Sequence, residues 1–292
     1  MGAETKIAWA DSTFNPWWGC QRVSKGCEHC YAEAFDKRLG RADWGPRAPR
    51  RFFGENHWRE PLKWNAKAGG EGRRQRVFCA SMADVFEDRV DLLVERERLW
   101  RLILATPNLD WMLLTKRPEN VARMLPWTPE GCGNVTCKAS MRDGVCCGED
   151  FCDIADGGRG CDPWPNVWIG TTVEDEAATS RIPILRQIPA IVRFASFEPL
   201  IGPIHESVDL RDIHWGIIGG ESGAGARPFV LDWGRALTRA MRRDGVHPFW
   251  KQLGVNARHA EGLNRLRLEK DPNHGGDMAE WPEDIRIREF PR

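Results

Sequence analysis

The sequence lacks both a net charge and a long apolar run. Its 42 basic and 42 acidic side chains cancel over 292 residues, so overall charge gives no reason to expect a nucleic acid or a membrane as partner. No apolar stretch approaches the roughly 20 residues needed to cross a bilayer. Residues 1–12 (MGAETKIAWADS) contain no apolar segment typical of a secretion signal. We therefore expect a cytoplasmic protein without a membrane partner.

Short apolar runs recur along the chain, separated by segments of helical periodicity or by proline-containing loops. Runs that are apolar at successive positions are typical of parallel strands buried on both faces. They occupy residues 77–80, 111–114, 167–170, 192–195, 215–218 and 248–250. Helices are predicted over residues 32–39, 91–106 and 231–244. This alternation, without an internal repeat, predicts one α/β domain over residues 1–292, folded as a partial TIM barrel.

Polar and charged side chains stand at the ends of these predicted strands. Because the carboxyl ends of barrel strands converge on one face, we expect the side chains to form one active-site rim. The alternative is that polar residues follow strands simply because loops are solvated. The rim residues include Ser81, Asp84, Thr115, Lys116, Arg117, Glu174, Glu198, Glu221 and Lys251.

Charge is distributed unevenly, and residues 37–76 are its basic region. They hold twelve Lys or Arg against four acidic residues, a net charge of +8. Basic side chains that bind phosphates, interleaved with aromatic rings that stack on bases, favour a loop region that binds DNA or RNA. A solvated loop whose tryptophans cap the barrel is an equally weighted alternative. The interleaved rings are Trp44, Phe52, Phe53, Trp58 and Trp64.

Cys20, Cys27 and Cys30 lie within eleven residues of each other, ahead of the first predicted helix. A reducing compartment disfavours disulfides, so clustered cysteines indicate a metal site. Three thiolates on one loop can hold three irons of a [4Fe–4S] cluster and leave the fourth iron open to a ligand. A zinc site on Cys27 and Cys30, with His29 or a remote ligand, is the second interpretation, and buried unligated cysteines are a distant third.

A second group of cysteines lies in a Gly- and Asp-rich insertion over residues 131–165. The insertion has few apolar residues with which to form a core, so a metal is expected to order it. Structural zinc is the favoured metal, an auxiliary iron–sulfur cluster is the alternative, and incidental thiols on a flexible insertion are less expected. The candidate ligands, of which a subset would bind, are Cys132, Cys137, Cys146, Cys147, Cys152 and Cys161. The isolated Cys79 is interpreted as a core residue.

Several motifs together resemble the phage-associated, radical-SAM-like three-cysteine-motif family, whose activity is not settled. The resemblance covers the chain apart from about residues 131–161, the Cys-rich insertion. Two features differ from the usual radical-SAM motif: six residues rather than three separate the first two cysteines, and His29 stands where an apolar or aromatic residue is usual. The motifs are Cys20-x6-Cys27-x2-Cys30-Tyr31, residues 114–118 (LTKRP), 197–200 (FEPL), 219–223 (GGESG) and the segment 275–282.

The resemblance implies a radical-SAM-type partial barrel whose [4Fe–4S] cluster is held by Cys20, Cys27 and Cys30. In that superfamily the open iron binds S-adenosylmethionine (SAM), and an electron from the cluster generates a 5′-deoxyadenosyl radical. Strand-end position makes Ser81, Asp84, Thr115 and Lys116 candidates for SAM contacts. It makes Glu174, Glu198, Glu221 and Lys251 candidates for substrate polarity or proton transfer.

Two functions are consistent with these features. The first is an iron–sulfur enzyme of the radical-SAM type that modifies or repairs a nucleic acid or nucleotide in a phage or mobile element, with a partner protein as electron donor. The second is a non-catalytic iron–sulfur or zinc protein that binds nucleic acid, in which the metal only orders the fold. Metal content and 5′-deoxyadenosine formation distinguish them.

Overall fold

The fold is built on a parallel seven-stranded sheet, seen in a computed structural model that describes residues 5–127 and 162–291. In chain order the strands are β1 (Ser12–Phe14), β2 (Trp17–Trp18), β3 (Arg51–Phe52), β4 (Gln75–Cys79), β5 (Leu109–Thr115), β6 (Val167–Thr172), β7 (Val192–Phe197), β8 (Trp215–Gly219), β9 (Phe229–Val230), β10 (His247–Gln252) and β11 (Ala257–Arg258). The α-helices are α1 (Tyr31–Arg38), α2 (Glu55–Trp58), α3 (Glu60–Gly70), α4 (Leu93–Leu104), α5 (Pro118–Val121), α6 (Arg181–Gln187) and α7 (Leu231–Asp244). Short 3-10 helices span Lys25–Cys27, Val90–Leu92, Ala122–Met124, Glu176–Ser180, Met278–Glu280 and Glu283–Ile285.

The strand order of the large sheet is β1-β4-β5-β6-β7-β8-β10, and every neighbouring pair is parallel. Strands that follow one another in both sequence and space, with helices between them, form the βα-repeat sheet of a barrel that has not closed. The predicted α/β partial barrel is therefore confirmed. Outside this sheet, β2 pairs with β3 in antiparallel fashion and β9 pairs with β11 in parallel.

All six predicted strands are present, as β4 to β8 and β10. They were recognisable because helices cover one face of the sheet and the curled sheet encloses the other, so both faces select apolar residues. The seventh strand, β1, has the sequence Ser-Thr-Phe and carries no such signal. Its polar Ser12 is buried because the hydroxyl accepts a 2.7 Å hydrogen bond from Gln75 of β4.

Alternate strand residues divide between two apolar cores. The outer core lies between the sheet and the helices and includes Val77 of β4 and Leu237 of α7. The inner core fills the curve of the sheet with Phe78, Phe194 and Trp215, among others. Its packing is largely aromatic, and its side chains come from strands and from the segments near the two chain ends rather than from helices.

The basic segment 37–76 was expected to be a loop, but the described structure places β3, α2 and α3 in it. Trp58 and Trp64 lie in the outer core, at 4% and 7% exposure. In the sequence, the charged residues on the solvent side of α3 hide the helical periodicity of the apolar positions. These two rings are therefore structural, whereas Phe52 stays exposed.

The three predicted helices are found as α1, α4 and α7, with ends that differ by at most two residues once the 3-10 turn before α4 is counted. Gly245 ends α7 with a φ of 75°, the left-handed conformation that favours glycine at a helix C-terminus. No helix among the described residues is long and apolar enough to cross a membrane.

Candidate active site at the mouth of the barrel

The three N-terminal cysteines lie on one loop, residues 19–30, which we call the cysteine loop. The loop begins at Gly19, whose φ of 108° and bridge to Ala83 turn the chain at the end of β4. Cys27 ends a 3-10 turn, and Cys30 is the N-cap of α1. All three are free thiols and partly exposed.

Cys20 contacts a buried ion pair. The guanidinium of Arg117 lies 3.7 Å from the Cys20 Sγ and 2.7 Å from the Asp84 carboxylate, with both charged side chains less than 10% exposed. Asp84 also accepts a 2.8 Å hydrogen bond from the Thr115 hydroxyl, and Arg117 donates to the Gln21 carbonyl at 2.8 Å. Burial, with the Asp84 charge adding and Arg117 opposing, raises the pKa of Cys20 to about 12. Without metal, therefore, this thiol is neutral at physiological pH.

Glu174, which follows β6, fastens the middle of the cysteine loop. One carboxylate oxygen accepts the Ser24 hydroxyl and the Gly26 amide, the latter at 3.3 Å, and the other accepts Arg181 at 2.6 Å. Burial raises the pKa of Glu174, but the Ser24 hydrogen bond and the charges of Arg181 and Lys116 outweigh it and hold the pKa below its ordinary value. Glu174 is thus an ionised carboxylate with both oxygens occupied, which favours an anchoring role over the predicted catalytic one.

A second anchor comes from the segment after β8. Glu221 receives hydrogen bonds from the Arg227 backbone and guanidinium and lies 3.1 Å from the His29 ring. Arg227 also donates to the Lys25 carbonyl at 2.9 Å and contacts Glu28 at 3.2 Å. Burial raises the pKa of Glu221, but the Arg227 hydrogen bonds prevail and lower it. Through these contacts, Glu221 and Arg227 hold residues 25, 28 and 29 of the loop against the segment that follows β8.

Two further contacts are made by charged groups on the inner side of the rim. Lys251 of β10 and Glu198, after β7, form an ion pair at 2.5 Å with side chains 19% and 16% exposed. Lys116 lies 3.3 Å from the Thr172 hydroxyl of β6. Side chains alternate along a strand, so Lys116 shares the parity of Leu114, and Glu198 that of Phe194, on the inner face. Lys251 lies at a register irregularity of β10 and is placed by its ion pair with Glu198. Neither pair bonds to the cysteine loop.

Ser81 stands between β1 and the first turn of α1. Its hydroxyl accepts a 3.0 Å hydrogen bond from Asn15, and its carbonyl accepts one from the Tyr31 hydroxyl at 2.7 Å. Asn15 is buried and also accepts from the Met82 amide at 2.7 Å. Asn15 therefore joins the strand ends of β1 and β4 beneath the loop.

The structure thus brings the predicted rim residues to one end of the sheet, but in two groups. Asp84, Thr115, Glu174 and Glu221 are committed to the support of the cysteine loop or of Arg117, whereas Lys116, Glu198 and Lys251 face the inner side of the mouth. The sequence places Arg117 in the rim, directly after a predicted strand end, but indicates no role for Asn15, Arg181 or Arg227.

The described residues contain no group of three or more Cys, His, Asp or Glu side chains positioned to hold a metal ion. The donor chemistry nevertheless suits a cluster, since three thiols that are free of disulfides and partly exposed share one anchored loop. The second cysteine group, Cys132 to Cys161, lies outside the described residues, so its metal stays a prediction.

Comparison with known proteins assigns the chain to a family. A family model described as "Protein of unknown function (DUF5131)" matches residues 4–280. The chain belongs to this family. Members of DUF5131 have no described function in that model, and no curated protein matches this chain.

Among solved structures, one match to this DUF5131 chain is a spore photoproduct lyase variant with bound AdoMet and a dinucleoside spore photoproduct. The identity is 10% and the TM-score is 0.35. The match covers 81% of this chain and 62% of the lyase chain, so this chain spans less than two thirds of that protein.

Proposed function

We propose that this DUF5131 protein is a [4Fe–4S] enzyme of the radical-SAM type that acts on a nucleic acid or a nucleotide. The observation that carries the proposal is the cysteine loop, whose three free thiols are fastened over the carboxyl ends of a parallel sheet. That end of such a sheet is where active sites of barrel enzymes lie. A loop needed only to connect β2 with α1 would not require two buried carboxylates and three arginines to hold it.

Cys20, Cys27 and Cys30 would ligate the cluster. When bound, a site-differentiated [4Fe–4S] cluster supplies one electron for reductive cleavage of SAM. The role of this chain is to position and enclose the reactants. Arg117 lies 3.7 Å from the Cys20 sulfur and places positive charge there, which stabilises a thiolate ligand.

Different rim residues would serve SAM and the substrate. Lys116 provides an ammonium group for a carboxylate, and Ser81 a hydroxyl, whereas Asp84 and Thr115 act indirectly by holding Arg117. Lys251 and Glu198, 2.5 Å apart, can exchange a proton with a substrate group at the inner side of the mouth. The same proposal includes a phage or mobile-element setting, a cytoplasmic location, an electron-donor protein, and zinc or an auxiliary cluster in residues 131–165. These four parts rest only on the sequence resemblance and the composition.

The test is quantitation of iron, sulfide and zinc after anaerobic purification and reconstitution. Wild type is expected to hold about four irons on this loop, the content of one cluster, and Cys27→Ala to lose them. Cys79→Ala is the matched control, because this buried thiol lies on β4 outside the loop. Reduced wild-type protein given SAM should yield 5′-deoxyadenosine.

Two outcomes would contradict the proposal. Colourless protein that contains only zinc would favour the non-catalytic nucleic-acid-binding alternative. An intact cluster that forms no 5′-deoxyadenosine would exclude the radical mechanism while leaving the cluster assignment in place.

A further inference from the structure

We infer that a surface beside the cysteine loop binds single-stranded polynucleotide, and that this surface is much smaller than the basic segment 37–76. It consists of Phe35, Arg38, Arg41, Arg51 and Phe53, which we call the arginine–aromatic patch. The inference rests on the proposed function and deepens it, because it names the form of nucleic acid and the residues that contact it.

The patch is organised around the indole of Trp18. Arg41 and Arg51 place their guanidinium carbons 5.6 Å and 4.8 Å from the centre of the Trp18 ring. Phe35 packs edge-on against Trp18 at 6.1 Å and carries Arg38 over its own ring at 5.6 Å. Trp18 itself is only 8% exposed, so it acts as the base on which the more exposed side chains are arranged.

The three patch arginines differ from most other cations of the basic segment. In the part of the chain that the structure describes, Arg38, Arg41 and Arg51 make no ion pair with a carboxylate. By contrast, the cations elsewhere in the segment that do pair with acids include Lys37, Arg50, Lys63, Lys67, Arg73, Arg74 and Arg76. The patch therefore holds positive charge that no described carboxylate pairs with directly, although Arg41 acts to lower the pKa of Asp43, and the chemistry that complements it is a polyanion.

Exposed aromatic rings in the patch distinguish a single strand from a duplex. Phe35 is 38% exposed and Phe53 is partly exposed, although large apolar side chains are usually placed inside. Phenyl rings next to guanidinium groups can stack on unpaired bases, whereas a duplex buries the faces of its bases. The combination thus favours single-stranded DNA or RNA over duplex.

The patch is continuous with the candidate active site. Trp18 forms a small apolar cluster with Ala32 and Met82, and Cys30 and Phe53 pack against it. Arg51 also covers the Phe53 ring at 5.1 Å. A strand bound to the patch would therefore pass beside a predicted cluster ligand, at the same end of the sheet as the rim.

The experiment measures binding of a fluorescent oligothymidylate of about 12 nucleotides, within the usual length for such grooves, by anisotropy at several salt concentrations. Wild-type holoprotein is compared with Arg38→Gln/Arg41→Gln/Arg51→Gln and with Phe35→Ala. The matched control, Lys63→Gln/Lys67→Gln/Arg73→Gln, removes the same charge from the same segment at residues that pair with glutamates. Oligouridylate and a duplex of equal length form the other arms, and iron is quantified in every preparation.

We expect the patch triple variant to reduce the slope of log K against log salt by about 2, since each phosphate contact of a single strand contributes about 0.7. Phe35→Ala, at the exposed ring beside Arg38, should weaken binding about tenfold through loss of stacking. The control triple variant should leave the slope nearly unchanged. Tighter binding of thymidylate or of uridylate identifies DNA or RNA as the source of the strand.

Equal slopes for the patch and control variants, or a duplex bound as tightly as the single strand, would overturn the inference. The result also separates it from the proposed function. Iron-loaded protein that binds no oligonucleotide refutes the patch and leaves the cluster intact. Protein that binds the oligonucleotide through the patch but holds no iron refutes the enzyme and leaves the patch intact.

Discussion

At the residue scale, Glu174 shows how a buried carboxylate can act through backbone groups. It is 1% exposed and reaches across from β6 to the amide of Gly26, one residue before a candidate ligand. A Cβ at position 26 would lie 2.9 Å from the Glu174 carboxylate oxygen, so the absence of a side chain there is what permits this approach. The contact between Glu174 and the loop therefore depends on glycine at position 26.

We predict that Glu174→Gln weakens cluster retention about tenfold or more, the usual effect of changing a group that orients metal ligands. An amide cannot accept from Ser24, Gly26 and Arg181 as a carboxylate does. The measurements are iron content after exposure to a chelator and, in metal-free protein, hydrogen exchange at the Gly26 amide. Glu97→Gln, on the exposed face of α4, is the control, and equal iron in both variants would contradict the prediction.

Asp36 and Asp43 form an unfavourable pair beneath the basic segment. Asp36 is buried, and one oxygen of each carboxylate is buried without a hydrogen-bond partner among the described residues. Burial, together with the neighbouring Asp36, raises the pKa of Asp43. Because the pKa of Asp43 is raised in the folded state, its full contribution to the free energy of unfolding is present below the ordinary aspartate pKa. That contribution is lost as the pH rises through the raised pKa and Asp43 ionises.

Asp43→Asn should therefore stabilise the protein at neutral pH by about 1 kcal/mol, the contribution of one hydrogen bond. The amide carries no charge and can donate to the unpartnered Asp36 oxygen. The gain should shrink toward zero as the pH falls below the ordinary aspartate pKa, since Asp43 is then protonated as well. Urea unfolding at pH 3.5 and pH 7 measures it, and a gain that does not change with pH would show the pair is not its cause.

At the scale of elements, the strands were predictable because burial on both faces leaves a continuous apolar signal. α7 was predictable too, from its periodicity and from Gly245 at its end. β1 and α3 were not, since each depends on partners far along the chain: Gln75 for β1 and the outer core for Trp64 of α3. The anchors of the cysteine loop escaped prediction for the same reason, because nothing in the sequence near Ser24 indicates that residue 174 will lie beside it.

The contact between α7 and β10 gives a prediction at this scale. A Cβ on Gly234 would lie 2.3 Å from the Trp250 ring, which a 3.0 Å hydrogen bond to Thr238 holds in place. Overpacking costs about 1–3 kcal/mol, and the higher helix propensity of alanine returns about 1 kcal/mol. Gly234→Ala should thus lower the free energy of unfolding by about 1 kcal/mol.

Gly70→Ala provides the comparison for this helix variant. Gly70 ends α3, and a methyl group added to it would have no atom of the described residues within 4 Å, so only the propensity gain applies there. Chemical denaturation should show the two alanine variants shifted in opposite directions. A gain in both would mean that Trp250 moves aside at no cost.

At the scale of the whole molecule, the two chain ends meet inside the partial barrel. Trp9 packs on Phe78 at 4.6 Å, and Phe290 packs on Trp215 at 5.3 Å. Residues 287–289 also bond to β10, through the amides of Trp250 and Glu289. The last strand of the sheet is thereby covered by later residues of the chain, which protects an edge that could otherwise pair with another molecule.

Phe290→Ala should cost about 2 kcal/mol, less than the 3–5 kcal/mol of a fully buried phenylalanine because this ring is half-buried. Its loss removes contacts to Trp215 and Phe249 and uncovers Arg76, which lies 4.0 Å above the ring. Thermal unfolding measures the effect. Leu263→Ala, at a side chain 51% exposed, should change little, and equal effects of the two would show that the inner core does not depend on residue 290.

The environment of Arg50 has a practical consequence for the stretch that leads to the arginine–aromatic patch. Its guanidinium is fully buried, pairs with Glu87 at 2.7 Å and donates to the carbonyls of Gly45 and Ala48. The sequence of this stretch, rich in arginine, proline and glycine, predicts ready cleavage by trypsin. Cleavage should nevertheless occur after the exposed Arg47 and not after Arg50. A peptide map of the native protein would therefore show directly that the contacts of Arg50 protect the bond that follows it.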